Sequence, residues 1–369
     1  MRAWALRLVF ALLMLNTVQL VQLPAAAGRA AELAPICSPS VQDPSALGRV
    51  EVSAQASGQA STSIFDPATS QTRTIRSLSW LVLGICALIA LVVEGVLLWT
   101  IIRYRSRGPA RGQPEPAQVY GSGPIELAWT VVPCVIVFVL TLATIRSIRE
   151  LAPDEAPPGS LKVSVIGHQW WWEYRYEESG VVTANELVVP VGRSIWLTLE
   201  SADVIHSWWV PRLAGKIDVV PNWKNTLWFN TELQGTYLGQ CAEYCGTQHA
   251  NMYLRVDIVS PEEFERWVVA QRAEPAANPQ MAAGHDIFLA NACANCHSVA
   301  GMSDGRFGPD LTHLMSRATI GSGIALLDAD TLRAWVKDPQ TLKPGCNMPS
   351  LQLDEGELDA LVAWLGGLR

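Results

Sequence analysis

Residues 239–252 read G-Q-C-A-E-Y-C-G-T-Q-H-A-N-M and place Cys241, Glu243, Cys245, His249 and Met252 within twelve positions. His206 precedes Cys241 by 35 residues, in the stretch D-V-I-H-S-W-W-V-P. Two thiolates, two imidazoles and a thioether are soft to intermediate ligands, a set suited to copper rather than to magnesium or calcium. A mononuclear blue-copper site uses one Cys, and the second thiol here allows two bridging sulfurs to hold two copper ions close together. The alternative is zinc, held tetrahedrally by His206, Cys241, Cys245 and His249, which leaves Met252 without a role.

The surrounding sequence alternates in short β-rich runs: LKVSVIGHQWWWEYRYE from Leu161, VVTANELVVPVG from Val181, SIWLTLES from Ser194, TLWFNTEL from Thr226 and MYLRVDIVS from Met252. Gly, Pro and Asn turns separate them, which predicts an all-β sandwich or barrel over 155–272. Trp170, Trp171 and Trp172 follow His168 and Gln169 on the first predicted strand. Alternation along a strand requires at least one of the three to face outward.

Further on, Cys293-Ala-Asn-Cys296-His297 spells C-x-x-C-H, the attachment site of a c-type haem. Both thiols add to the haem vinyl groups, and His297 faces the iron. The run K-P-G-C-N-M-P-S, 343–350, offers Met348 as the sixth ligand. A thioether opposite an imidazole raises the iron's reduction potential and suits electron transfer. Met302 lies too close to His297 to reach the other face easily, and Met315 follows G-P-D-L-T-H-L, a segment that reads as packing beside the haem. A zinc or redox C-x-x-C followed by an unrelated His is the alternative. Residues 281–369 read as a small helical haem-packing domain, with 273–280 as its linker. Cys346 has no evident role, Cys37 has no evident partner, and a disulfide framework is not supported.

The chain has 369 residues, a net charge of −7 and 49% hydrophobic residues gathered in blocks. That charge, with no basic run to offset it, argues against nucleic acid as a partner. Arg2 and Arg7, the run L-V-F-A-L-L-M-L and an A-x-A site predict a signal peptide over 1–27. A first membrane anchor is the rival reading. Residues 28–76 read as an extracytoplasmic lead-in, and 77–150 as a transmembrane hairpin with helices at about 78–102 and 127–147. Arg103, Arg105, Arg107 and Arg111 put the intervening loop in the cytoplasm and both chain ends outside. Glu94 lies within the first span, where a charge normally faces protein. Glu126 opens the second, where the helix dipole stabilises a carboxylate by ~0.3–1 kcal/mol whatever its function.

The runs G-H-Q-W-W-W-E-Y-R-Y, D-V-I-H-S-W-W-V-P and G-Q-C-A-E-Y-C-G-T-Q-H-A-N-M resemble subunit II of haem-copper cytochrome c oxidases, over about residues 77–270. I-E-L-A-W-T-V-V-P resembles the start of that family's second membrane helix. R-F-G-P-D-L-T-H-L-M-S-R and K-P-G-C-N-M-P resemble the cytochrome c module fused to subunit II in some bacterial oxidases, although Cys346 departs from the pattern. The resemblance implies a multidomain fold: a two-helix transmembrane hairpin, an all-β cupredoxin-like barrel and an all-α cytochrome c domain. It implies a binuclear CuA centre held by His206, Cys241, Glu243, Cys245, His249 and Met252, with Glu243 contributing its backbone carbonyl. The Glu243 carboxylate would also reach a magnesium ion at the boundary with subunit I. Trp170 would be the electron entry point and Glu126 the mouth of a proton path.

The implied function is that of a non-catalytic subunit of a proton-translocating oxidase. Electrons would arrive through haem c, held by Cys293, Cys296, His297 and Met348, pass to CuA, and reduce oxygen to water in subunit I. The implied partners are subunits I and III and a donor such as a cytochrome c or the cytochrome bc complex. The implied location is the bacterial inner membrane, multi-pass, with both soluble domains on the periplasmic face. Two alternatives stay open: the CuA subunit of a nitric oxide reductase, and a module that delivers copper and haem to other proteins.

Overall fold

The first helix, α1 (Ser70–Tyr104), starts well before the apolar run at 78 that predicts it. The computed structural model describes residues 61–105, 118, 120–274 and 282–369. The expected signal peptide, the lead-in as far as residue 60, Arg107, Arg111 and most of the linker lie outside these residues. α1 begins early because Thr69 forms a capping box with Thr72, which satisfies amide groups that would otherwise lack partners. Its first turn is then buried against the β domain. Thr69 Oγ1 donates to Leu213 O at 2.7 Å, Thr72 Oγ1 donates to Arg212 O at 2.9 Å, and Gln71 Oε1 accepts from Asn230 N at 3.1 Å. The helix is thus anchored in protein before it reaches the apolar stretch.

The second helix, α2 (Gly123–Leu151), has proline in its first turn, and the Glu126 carboxylate accepts from Ser122 N at 3.2 Å. Apolar windows of the two helices reach mean hydropathies of 2.8 and 2.3, and both helices are long enough to cross a membrane. Their large side chains, Trp80, Leu91, Ile102 and Phe138 among them, point away from the rest of the chain. Cys86 and Cys134 are exposed there too, so any packing role for them lies against lipid or another subunit.

The β domain is built from β1 (Leu161–His168), β2 (Trp171–Tyr176), β3 (Val182–Ala184), β4 (Glu186–Pro190), β5 (Ser194–Ser201), β6 (His206–Trp209), β7 (Ile217–Val219), β8 (Asn225–Asn230), β9 (Gly235–Cys241) and β10 (Tyr253–Val259). They form two five-stranded sheets, ordered β3-β2-β1-β5-β8 and β4-β10-β9-β6-β7. Each sheet holds one parallel pair, β1 with β5 and β4 with β10, among antiparallel neighbours. Val163, Tyr174, Leu197, Trp208, Phe229 and Val256 fill the space between the sheets. This is the all-β sandwich that the turn spacing predicts, with the cupredoxin-like form that the resemblance implies. Helix α3 (Pro261–Arg272) follows β10 and packs Phe264 and Val268 into the same core.

The three tryptophans depart from expectation. β1 ends at His168 and β2 begins at Trp171, so Gln169 and Trp170 form a turn and alternation does not run through them. None faces outward: Trp170, Trp171 and Trp172 are 9%, 8% and 0% exposed. Trp172 points into the β-domain core, and the C-terminal domain covers the turn before it, with Lys343 Nζ donating to Trp170 O and Asn347 Nδ2 donating to Gln169 O, each at 2.9 Å.

That domain contains α4 (Ala282–Ala290), the single turn α5 (Cys293–Cys296), α6 (Ala329–Lys337), α7 (Pro339–Leu342) and α8 (Glu355–Leu365), with two short two-stranded ladders between them. Phe288, Leu332, Val336, Leu358, Leu361 and Trp364 make its core.

Candidate metal centres

The donors predicted for copper come from the start of β6, the end of β9 and the loop that leads into β10. Two main-chain bonds hold the loop's shape, Cys241 N donating to Met252 O and Ala242 N donating to Ser207 O, both at 2.9 Å. Gly246 adopts φ +113, and a Cβ there would come within 3.1 Å of the Trp170 ring, so the turn between Cys245 and His249 needs glycine. The two thiols stand 3.8 Å apart. His206 Nδ1 lies 4.0 Å from Cys241 Sγ, while His249 Nδ1 and Met252 Sδ lie 3.7 and 3.8 Å from Cys245 Sγ. Cys241 Sγ also lies 3.2 Å from the Glu243 carbonyl oxygen.

Electrostatics prepare these donors for metal. His206 Nε2 donates to Asp203 Oδ1 at 2.8 Å, which fixes the tautomer and leaves the Nδ1 lone pair toward the thiols. The neighbouring Cys245 thiol pushes the Cys241 thiol down, with His206 adding to the effect against the opposing cost of burial. Cys245 is pushed up, first by Cys241 and then by burial.

The geometry separates the copper and zinc readings. A single tetrahedral ion needs all its donors mutually close, at bond lengths of about 2.0–2.3 Å. The ligand atoms of His206, Cys241 and Cys245 lie within 4.8 Å of one another, but His249 falls outside that group. One imidazole nitrogen lies 4.0 Å from Cys241 Sγ and the other 3.7 Å from Cys245 Sγ. Donors spread in this way along a thiol pair fit a site for two ions better than one for a single tetrahedral ion.

The predicted haem residues surround a cavity of about 380 Å³, with Cys293, Cys296, His297 and Met348 all in its wall. His297 Nδ1 donates to Pro309 O at 2.8 Å, which orients the ring and frees Nε2 for a metal. Burial pushes this imidazole below its usual range, keeping it neutral as a ligand must be. A Cβ at Gly308 would sit 2.5 Å from the His297 ring, so the ring's seat requires that glycine. Arg317 also reaches the wall, its guanidinium donating to Asp310 O while its buried Nε has no partner. A buried guanidinium with one unsatisfied N–H beside an apolar void fits a macrocycle carrying carboxylates. Met302 and Met315 pack against the helical core instead and are absent from the wall.

Trp170 connects the two places. Its ring lines the C-x-x-C-H cavity together with Trp171, and its Nε1 donates to Cys245 O at 3.0 Å. Glu126 stands apart on α2, bonded only to its own helix start among the described residues. His168 is bonded to Glu173 and stacked on Trp171, as a structural histidine is. Sequence reading missed Asp203, Arg317 and Lys343. Asp203 carried a signal, standing three residues before His206 in one loop, whereas the other two become significant only through distant partners.

Comparison with known families agrees along most of the chain. Residues 57–146 match the family model "Cytochrome C oxidase subunit II, transmembrane domain", residues 179–259 its periplasmic domain, and residues 281–369 the family "Cytochrome c". Cytochrome c oxidase subunit 2 of Alkalihalophilus pseudofirmus is 33% identical over 320 residues, which span 85% of this chain and 92% of the relative. The subunits 2 of Bacillus sp. strain PS3 and Bacillus subtilis are 30% and 29% identical, over 69% and 74% of this chain and 77% and 82% of theirs.

Proposed function

The chain belongs to the cytochrome c oxidase subunit II family, as a membrane protein with two spans, a periplasmic domain and a cytochrome c domain, and from that premise we propose that it carries electrons from its own haem c through a binuclear copper centre to subunit I. Cys293 and Cys296 would hold the haem covalently, and His297 and Met348 would supply nitrogen and sulfur donors to its iron. His206, Cys241, Cys245, His249, Met252 and the Glu243 carbonyl would hold two copper ions. When bound, these groups supply two low-reorganisation one-electron carriers. Oxygen reduction and proton translocation belong to subunit I, with the Glu243 carboxylate reaching a shared magnesium ion and Glu126 standing at a proton entrance. Subunit III and a donor cytochrome complete the assembly.

The observation that carries this reading is the double contact of Trp170, in the wall of the haem cavity and hydrogen-bonded to the carbonyl of a copper-loop cysteine. Burial of the donors favours an electron carrier over a delivery module, which needs exchangeable ligands: His206, Cys241, Cys245 and Met252 are all at most 4% exposed. The relatives' names favour an oxidase over a nitric oxide reductase.

The test combines composition with kinetics. Elemental and haem analysis of the purified complex should give two coppers and one covalent haem for this chain. Zinc in place of copper would refute the copper assignment. Trp170→Phe removes the bond to Cys245 O, and flash reduction of the haem should then be followed by copper reduction about tenfold slower. An unchanged rate would remove Trp170 from the route.

A further inference from the structure

The segment that carries Met348 is bonded to the copper-bearing domain at Lys343, Pro344 and Asn347. Lys343 Nζ donates to Trp170 O at 2.9 Å and to Gly321 O at 2.8 Å, so one ammonium joins the two domains. Gln248, the residue before His249, donates its amide to Pro344 O. Asn347 Nδ2 donates to Gln169 O at 2.9 Å. Gly345 lies so close to the copper loop that a Cβ on it would stand 2.9 Å from Thr247 Cγ2. The partners are 169–170 and 247–248, the two stretches that flank the Cys245 main chain.

Lys343 stands out within this set. It is only 3% exposed and forms no ion pair among the described residues. Burial pushes its ammonium down to about 7, so holding a charge there is costly. A lysine stem needed only for packing is replaceable by an apolar side chain of similar length. What such a side chain cannot provide is donors to two buried carbonyls on different domains.

We infer that Lys343 is a positioning residue: by bridging the Trp170 and Gly321 carbonyls it fixes the Met348 segment against the copper loop, and with it the contact across which electrons pass. This rests on the proposed haem and copper reading. The intact oxidase complex is the object of the test, with its copper and covalent haem measured first. Lys343→Met keeps the stem and removes the donors.

Hydrogen exchange in 169–172 and 319–323 should accelerate about tenfold, because the docked state then opens more often. Copper reduction after flash reduction of the haem should slow about tenfold, beyond what any change in the two midpoint potentials explains. Lys343→Met with wild-type exchange and rate would overturn the inference, and so would a rate loss wholly explained by the potentials. Should that variant fail to assemble, Asn347→Ala, at an exposed position on the same segment, should slow the rate about threefold. No change there would equally overturn the inference. A wild-type complex lacking copper or covalent haem overturns the functional reading and this inference with it, whereas loaded centres with unaffected variants overturn the role of Lys343 alone.

Discussion

The two candidate centres are prepared in opposite ways. At the copper loop the donors already touch one another, the thiols 3.8 Å apart and His206 locked by Asp203, and Cys241, Cys245 and Met252 sit at one end of a β-domain core that extends well beyond them through Val163, Leu197 and Phe229. At the C-x-x-C-H centre the ligands ring a void of about 380 Å³, and the core residues Phe288, Leu332, Val336 and Leu361 are part of its wall. An ion completes the first site, whereas a macrocycle would complete the second domain. The difference teaches that loss of metal and loss of haem should have unequal consequences for the fold.

The largest effect should follow removal of both haem-attaching thiols. Cys293→Ser with Cys296→Ser leaves the cavity unfilled, and the C-terminal domain should lose stability comparable to that of a small domain, ~5 kcal/mol or more. Limited proteolysis should then digest 282–369 and spare the β domain. A C-terminal domain as resistant as the wild type would erase the contrast between the centres. Cys245→Ser should abolish copper binding while costing the β domain only about 1–3 kcal/mol, read as a modest fall in denaturant midpoint. If it unfolds that domain, the core depends on its copper-loop end more than its extent through Val163, Leu197 and Phe229 indicates.

Asp203→Asn sharpens the same point without touching a donor. It weakens control of the His206 tautomer and should lower copper affinity about 10–100-fold, measured by competition with a chelator, with near-native stability. The smallest expected effect is on acid stability. Burial raises the pKa of Glu173, but hydrogen bonds from His168 and Arg175 outweigh it and hold the carboxyl below its usual range. A carboxylate depressed in the folded state stabilises in full above its unfolded pKa of about 4.3, and that contribution is lost as pH falls through the folded value. Glu173→Gln should therefore flatten the decline in stability below pH ~4, by no more than about 1 kcal/mol. An unaltered slope would remove Glu173 from the acid response.

The residues of both candidate centres and the two apolar helices were legible in the sequence for physical reasons that act over short distances. Covalent haem attachment needs its two thiols and histidine contiguous, a metal loop concentrates soft donors, and a membrane span needs an unbroken apolar run. What tertiary structure alone decided depends on which surfaces meet. Helix α1 starts at Ser70 because Arg212 and Leu213 receive its first turn, a contact made across some 140 residues of sequence. Trp172 is buried in the β domain's own core, whereas the turn before it is covered by a domain more than a hundred residues away, where Lys343 lies 173 residues from Trp170. No local pattern marks such partners. A lysine that bridges two carbonyls reads in sequence like any solvated lysine, and only the folded chain removes the water that would make it one.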